Sequence, residues 1–409
     1  MRAGRVTGTH PDDGSGTGST ASAPREGSPT TARESAAPPH SDALASAPRA
    51  GTAEAPGEGS APARSDALAS ATRESTAEAP GEGSATPPRA GTAPSRPDAP
   101  ATSPRQGAAG TPRRRVDVGE LVRIRTRHPE AIAEAAARRA RRPLLNDSGR
   151  LMIVAADHPA RGALGVGDRK FAMANRADLL ERLCLALSRP GVDGVLATAD
   201  ILDDLLLLGA LDHKVVMGSM NRGGLQGASF ELDDRFTGHR PQDIERLGFD
   251  AGKLLLRVDY SDPGSLTTLE STARAIDAMA ERRLPVFVEP FISRRTPGGK
   301  VTNDLSAEAV TRSIAIASGL GGSSAYTWLK VPVTENPDDM AQVMETSTLP
   351  AVLLGGDIGD SPEDQVAAYE KWRGALRLPT VRGLVVGRSL LYPADGDVAA
   401  AVDTAVGLL

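Results

Sequence analysis

Lys330 is the residue whose surroundings say most about chemistry. It sits in a short apolar run with Trp328, Leu329, Val331, Pro332 and Val333, where an ammonium would be poorly solvated. Burial and neighbouring cations lower a lysine from its ordinary pKa of about 10.4. A neutral amine can attack a ketone or aldehyde, so Lys330 is a candidate for Schiff-base formation. The same run also suits a lysine that merely pairs with a carboxylate such as Glu289, and on spacing alone the two readings stand level. Asp157, Glu289 and a second lysine, Lys253, are the groups that would move protons around an iminium. Gly355-Gly356, running into Asp357, and Gly387-Arg388 are candidates for an anion cradle. Glycine lets backbone N–H groups approach closely, and an arginine adds a bidentate contact. Arg257, with Arg294 and Arg295, is a candidate for holding a carboxylate. Metal chemistry is not expected. Beyond the first 115 residues there are four histidines, His128, His158, His213 and His239, with no HxH or HExxH spacing. His158 reads as a loop residue that hydrogen-bonds locally.

These residues need a frame. From Leu151 onward, short runs rich in Val, Leu and Ile alternate with amphipathic stretches, as in a parallel sheet with crossover helices. Strands are predicted at Leu151–Ala156, Gly194–Ala197, Lys214–Gly218, Lys253–Val258, Pro285–Glu289, Tyr326–Val331, Ala351–Gly355 and Gly383–Gly387. Helices are predicted at Arg176–Leu187, Leu266–Arg282, Ala307–Ala317, Pro337–Glu345, Pro362–Leu376 and Ala399–Leu408, from apolar spacing near 3.6 residues. Ser361-Pro362-Glu363 reads as a helix start. Eight strand–helix units in series fit a closed (β/α)8 barrel better than an open doubly wound sheet. In such a barrel, chemistry gathers at the C-terminal strand ends, with phosphate sites after strands seven and eight. Side chains alternate along a strand. Asp157 therefore shares a face with Ile153 and Ala155, Glu289 with Phe287, and Lys253 with Leu255 and Arg257. If those faces point inward, Asp157, Lys253, Glu289 and Lys330 converge. Ahead of the first strand, Glu120–Arg142 reads as one Arg-rich helix. It would cover the barrel bottom or side, or alternatively present an anion- or partner-binding face.

The chain has two compositional parts. Residues 1–115 are nearly all Ala, Gly, Pro, Ser, Thr, Arg and acids, with very few large apolar side chains, and every Phe, Tyr and Trp lies at or after Phe171. Such a segment cannot offset its ordering entropy by burial, so a disordered tail is expected. Within it Ser41–Ala47 recurs at Ser65–Ala71 and Thr52–Ala61 recurs at Thr76–Ala85. With no apolar stripe to stack, these are duplicated low-complexity sequence rather than a solenoid. Two accounts of the tail stand: a tether or docking segment, or an artefact of the assigned start. After Met1 the next methionine is Met152, and initiation near Val116 or Val118 on a non-AUG codon would remove the tail. Residues 116–409 have the length of one barrel. A net charge of −5 argues against nucleic acid as a partner. No apolar stretch reaches the roughly 20 residues that span a bilayer, so no membrane partner is expected. The single cysteine, Cys184, suits a reducing compartment. A cytoplasmic location is expected, and a homo-oligomer is left open.

Five segments in order resemble one group. VAADHPARG (Val154–Gly162), GKLLLRVDYSDP (Gly252–Pro263), LPVFVEPF (Leu284–Phe291), YTWLKVPV (Tyr326–Val333) and VVGRSL (Val385–Leu390) are similar to the strand ends of class I, Schiff-base aldolases. The region from Leu151 to the C-terminus resembles their DeoC/LacD-like group, with the nearest likeness to tagatose-bisphosphate aldolase-like enzymes. It also resembles actinobacterial barrel proteins associated with inositol breakdown. The resemblance implies a lyase without cofactor, in which Lys330 forms the iminium with Asp157, Lys253 and Glu289 around it. Its substrate would be a phosphorylated keto sugar or sugar acid, for instance 2-deoxy-5-keto-gluconate 6-phosphate, cleaved to dihydroxyacetone phosphate and malonic semialdehyde. The chain departs from sugar-bisphosphate relatives at Arg257-Val258, where they carry an aromatic pair, and at His158-Pro159, where they carry Gln-Arg. Those departures bear on substrate rather than on the lysine. A non-catalytic phosphosugar-sensing barrel and a deoxyribose-phosphate aldolase are the alternatives.

Overall fold

The computed structural model describes residues 115–334, 336–356 and 361–409. The tail with its repeats, and Asp357, lie outside them.

Among the described residues nine strands form one sheet: β1 (Leu151–Ala155), β2 (Gly194–Ala197), β3 (Val215–Ser219), β4 (Ala251–Val258), β5 (Val286–Arg295), β6 (Val301–Asp304), β7 (Thr327–Val331), β8 (Ala351–Leu354) and β9 (Val381–Val386). Their order is β4-β3-β2-β1-β9-β8-β7-β5-β6, and β4 also pairs with β5. That pairing closes eight parallel strands into a barrel, a (β/α)8 fold, with β6 folded back antiparallel on the overhanging end of β5. The strands are short and apolar because both faces are covered. Leu151, Ile153, Ala155, Leu196, Val215, Met217, Ala251, Phe287, Val352 and Val385 fill the interior, and the alternate residues pack under the helices. Alternation thus fixes which side chains of β1, β4, β5 and β7 face inward.

Most expected elements are present within a residue or two. Helix Arg176–Ser188 starts where the Asn175 side chain accepts from the Asp178 N–H. Ser306 caps Ala307–Ser318 in the same way, and Ser361 caps Pro362–Ala375. Such caps satisfy N–H groups that have no intrahelical partner. The stretch predicted as Pro337–Glu345 is a 3₁₀ turn followed by Met340–Met344. Helices Ala199–Leu207 and Pro241–Arg246 complete the ring.

Two expectations need correction. Glu120–Arg142 is two helices, Val118–Arg127 and Ala131–Arg138, because Pro129 cannot continue a helix. Arg139 and Arg142, at its end, face the barrel rather than an anion-binding surface, which favours the covering role. Arg139 donates to Asp250 at 3.3 Å and to the carbonyls of Lys214 and Gly248, and Arg142 pairs with Asp193. Asp250 and Asp193 in turn accept from the backbone N–H groups of Val216 and Met152. The segment is therefore fastened to the N-terminal strand ends, and Leu144 and Leu145 pack against the interior cluster. The second correction concerns the end of β9. Gly387 is outside the strand and caps a one-turn helix, Arg388–Leu391.

Candidate active site

Four inward positions meet at the C-terminal end of the barrel. Lys330 on β7 and Glu289 on β5 are in contact through Nζ and Oε1. Lys253 on β4 contacts the other oxygen of the same carboxylate, Oε2. Lys253 Nζ also lies 3.4 Å from Oδ2 of Asp157, which directly follows β1 and Ala156. Lys253 is 1% exposed and Lys330 6%, so both ammoniums depend largely on protein partners. Two lysines thus share one buried carboxylate.

That arrangement decides the direction of each titration. Burial pushes Lys330 below the ordinary lysine value; Glu289 opposes this, while Arg222 and Arg388 add to it. Lys253 is driven down further by burial, with Arg222 and Lys330 as adjacent cations. Burial alone would raise Glu289, but Lys253, Lys330 and Arg222 outweigh it and hold the carboxyl far below the usual carboxylate range. His158, partly buried beside Asp157 with Nδ1 to Oδ1 at 3.8 Å, is kept neutral by burial and by Arg388 and Lys330.

Arg222 was not among the expected residues. It stands just past β3 and contacts Asp157 through Nη2, while its Nε donates to Ser219 Oγ at 3.0 Å. Ser219 Oγ donates in turn to Asp157 Oδ2 at 3.2 Å. The signal was available: the strand-end rule applies to Ser219-Met220-Asn221-Arg222 as much as to the other strand ends.

Arg257 needs correction. It is buried, and its Nε and Nη2 grip Asp234 at 2.8 and 2.6 Å, with Glu231 supplying a backbone carbonyl and, at 3.7 Å, a carboxylate oxygen. A guanidinium already held bidentately by a buried acid has no fork left for a substrate carboxylate. Arg257 instead anchors the segment between β3 and the Pro241–Arg246 helix. Gly224 permits this, since a Cβ there would lie 2.5 Å from Arg257 Nη2. Arg161 joins the anchor through the Gly224 carbonyl at 3.0 Å and Glu231 at 3.7 Å.

The residues expected to cradle an anion lie at the same end of the barrel. Gly355 follows β8 and packs on Val386; Gly356 has φ +66° and open space before its Cα. Gly387 sits so close to the Ala155 carbonyl that a Cβ would be 2.3 Å away. Arg388 follows it, near enough to depress both Lys330 and His158. Arg294 pairs with Asp304 at 3.2 Å, and Arg295 donates to the Gly299 and Ser229 carbonyls. Among the described residues, no group of three or more His, Cys, Asp or Glu side chains is placed to hold a metal ion. No described helix is long and apolar enough to cross a membrane.

Fold and site together define a (β/α)8 barrel with a buried lysine pair on a shared carboxylate at its mouth. The chain belongs to the Cgl0159-like family, whose model matches residues 149–406. It is similar to the crystal structure of Cgl0159 from Corynebacterium glutamicum, at 56% identity and a TM-score of 0.68 over 71% of this chain and 96% of that one. A Schiff base forming fructose-1,6-bisphosphate aldolase matches at 20% identity and a TM-score of 0.49, over 68% of this chain and 99% of that one. An archaeal fructose-1,6-bisphosphate aldolase whose catalytic lysine is covalently bound to a carbinolamine intermediate matches at 20% identity, with a TM-score of 0.48 over 68% and 100%. No protein with a curated description matches in sequence.

Proposed function

We propose that this protein is a class I aldolase that cleaves a phosphorylated keto sugar or keto sugar acid through a Schiff base on Lys330. The observation that carries this reading is the sharing of Glu289 by Lys253 and Lys330. A buried ammonium without a carboxylate of its own is costly, so such a group sheds its proton rather than stay charged. The unprotonated amine adds to the substrate ketone, and loss of water gives an iminium. Glu289 is the carboxylate in contact with the reacting nitrogen. It takes the proton from the hydroxyl on the carbon to be released, with Asp157 as the other candidate base. The carbon–carbon bond breaks, its electron pair enters the iminium to give an enamine, and an aldehyde departs. Protonation of the enamine and hydrolysis return the lysine.

Surplus positive charge at the mouth favours an anionic substrate. Gly355, Gly356, Gly387 and Arg388 are the residues we assign to its phosphate. The sequence resemblance to the DeoC/LacD-like group and to inositol-breakdown proteins makes 2-deoxy-5-keto-gluconate 6-phosphate the first substrate to assay. Its products would be dihydroxyacetone phosphate and malonic semialdehyde. Borohydride added with substrate should place a reduced adduct on the peptide containing Lys330. Full turnover by Lys330→Met would sink the mechanism.

One observation favours a second reading. The direct Lys330–Glu289 contact is also what a purely structural ion pair would give, in a barrel that binds a phosphosugar without cleaving it. Tight binding across a panel of keto-sugar phosphates with no triose phosphate released would select it. Acetaldehyde from deoxyribose 5-phosphate would instead keep the Schiff base and change the substrate.

A further inference from the structure

We propose that Arg222 is a positioning residue for the lysine pair: by occupying Asp157 it leaves Glu289 as the carboxylate that Lys253 and Lys330 must share. The inference rests on the Schiff-base reading for its purpose, though its test does not require turnover.

The geometry is a competition for one oxygen. Oδ2 of Asp157 is in direct contact with Arg222 Nη2, accepts from Ser219 Oγ at 3.2 Å, and stands 3.4 Å from Lys253 Nζ. Arg222 is fixed there by Ser219 Oγ, and by its own backbone N–H, which donates to Thr237 Oγ1 at 3.1 Å. Three cations, Lys253, Lys330 and Arg222, therefore touch two carboxylates, Asp157 and Glu289. Arg388 adds positive charge from the end of β9, and His158, held neutral, contributes none. Behind Arg222 the Asp234–Arg257 pair acts on it with opposing signs. A guanidinium does not give up its proton in a protein, so the surplus must be relieved by a lysine. Without Arg222, Asp157 would be left to Lys253, which already stands 3.4 Å from it, Lys330 would keep Glu289, and both amines would be protonated.

The test is trace acetylation of the full-length protein with acetic anhydride from about pH 6 to about pH 11, with Lys330 and Lys253 read separately by peptide mass spectrometry. Only the unprotonated amine reacts. Arg222→Met should move the labelling midpoint of the more reactive of the two lysines upward by about one pH unit or more, roughly tenfold less labelling near neutrality. Asp157→Asn removes an anion and should leave that midpoint where it was or lower it. An unmoved midpoint in a folded Arg222→Met protein, or an upward move in Asp157→Asn, overturns the proposal. If Arg222→Met does not fold, Asp157→Asn decides alone. Borohydride trapping on the same samples separates the two readings. A shifted midpoint with no trapped adduct supports the role of Arg222 and rejects the aldolase; trapping with an unshifted midpoint does the reverse.

Discussion

Glu289 holds two buried cations, and the consequence of removing it follows from its two contacts. Glu289→Gln leaves Lys330 buried without a counter-ion and Lys253 with Asp157 alone, at 3.4 Å, a loss in the range of about 3–5 kcal/mol for breaking a buried pair. A lower urea midpoint should accompany loss of adduct formation. His158 gives a pH signature. Its folded pKa lies well below the ordinary 6.5, so below that value the unfolded chain binds the proton first. Stability should therefore fall as pH drops from about 6.5, and the fall should be shallower in His158→Asn, as thermal melts across that range would reveal. His239, also lowered by burial, accounts for part of the slope and remains in the variant. Lys330, Glu289, Asp157 and Lys253 were legible in the sequence because alternation along buried strands puts them on one side. Arg257 was misread because its partner Asp234 is 23 residues earlier in the chain, across a stretch with no periodicity. Arg222 went unseen although it follows the end of β3 by three residues, where the strand-end rule would have picked it out; its contacts with Asp157 and Ser219 depend on how the loop after β3 returns.

Among the elements, the barrel strands were readable since each is an apolar run between turn residues. Strand β6 was not: Val301-Thr302-Asn303-Asp304 has no core face and exists because it pairs with the overhang of β5. Nor was the excursion between β3 and the Pro241–Arg246 helix, whose ends are joined by backbone bonds from Gly238 to Met220 and from Gly223 to Arg235. This excursion carries Arg222 at its base and is pinned at its middle by Asp234 to Arg257. Asp234→Asn should release the middle at a cost of about 3–5 kcal/mol. Limited proteolysis should then cut within residues 221–240 in the variant and spare the wild type. If Arg257 instead bound substrate, the variant would gain no new cleavage site.

At the scale of the whole molecule, the family match begins at residue 149, yet ion pairs fasten residues ahead of it to the barrel. Arg139–Asp250 and Arg142–Asp193 tie the preceding helices to the barrel. A chain beginning at residue 149 would leave Asp250 and Asp193 without these partners and should aggregate or melt early. A chain beginning at residue 115 should melt like the full-length protein and trap the same adduct, in keeping with our proposal that 1–115 is a separate tail and 116–409 the barrel domain. Differential scanning calorimetry of the two truncations separates these outcomes. Leu144 and Leu145 pack on the interior cluster at the end of the barrel remote from the lysines. If our aldolase reading holds, the order of product release follows from the covalent bond to Lys330. The freed aldehyde should depart first, and the covalently held fragment should follow only once water has cut it loose. Product-inhibition kinetics should show that sequence, with the aldehyde noncompetitive and the ketone fragment competitive against substrate.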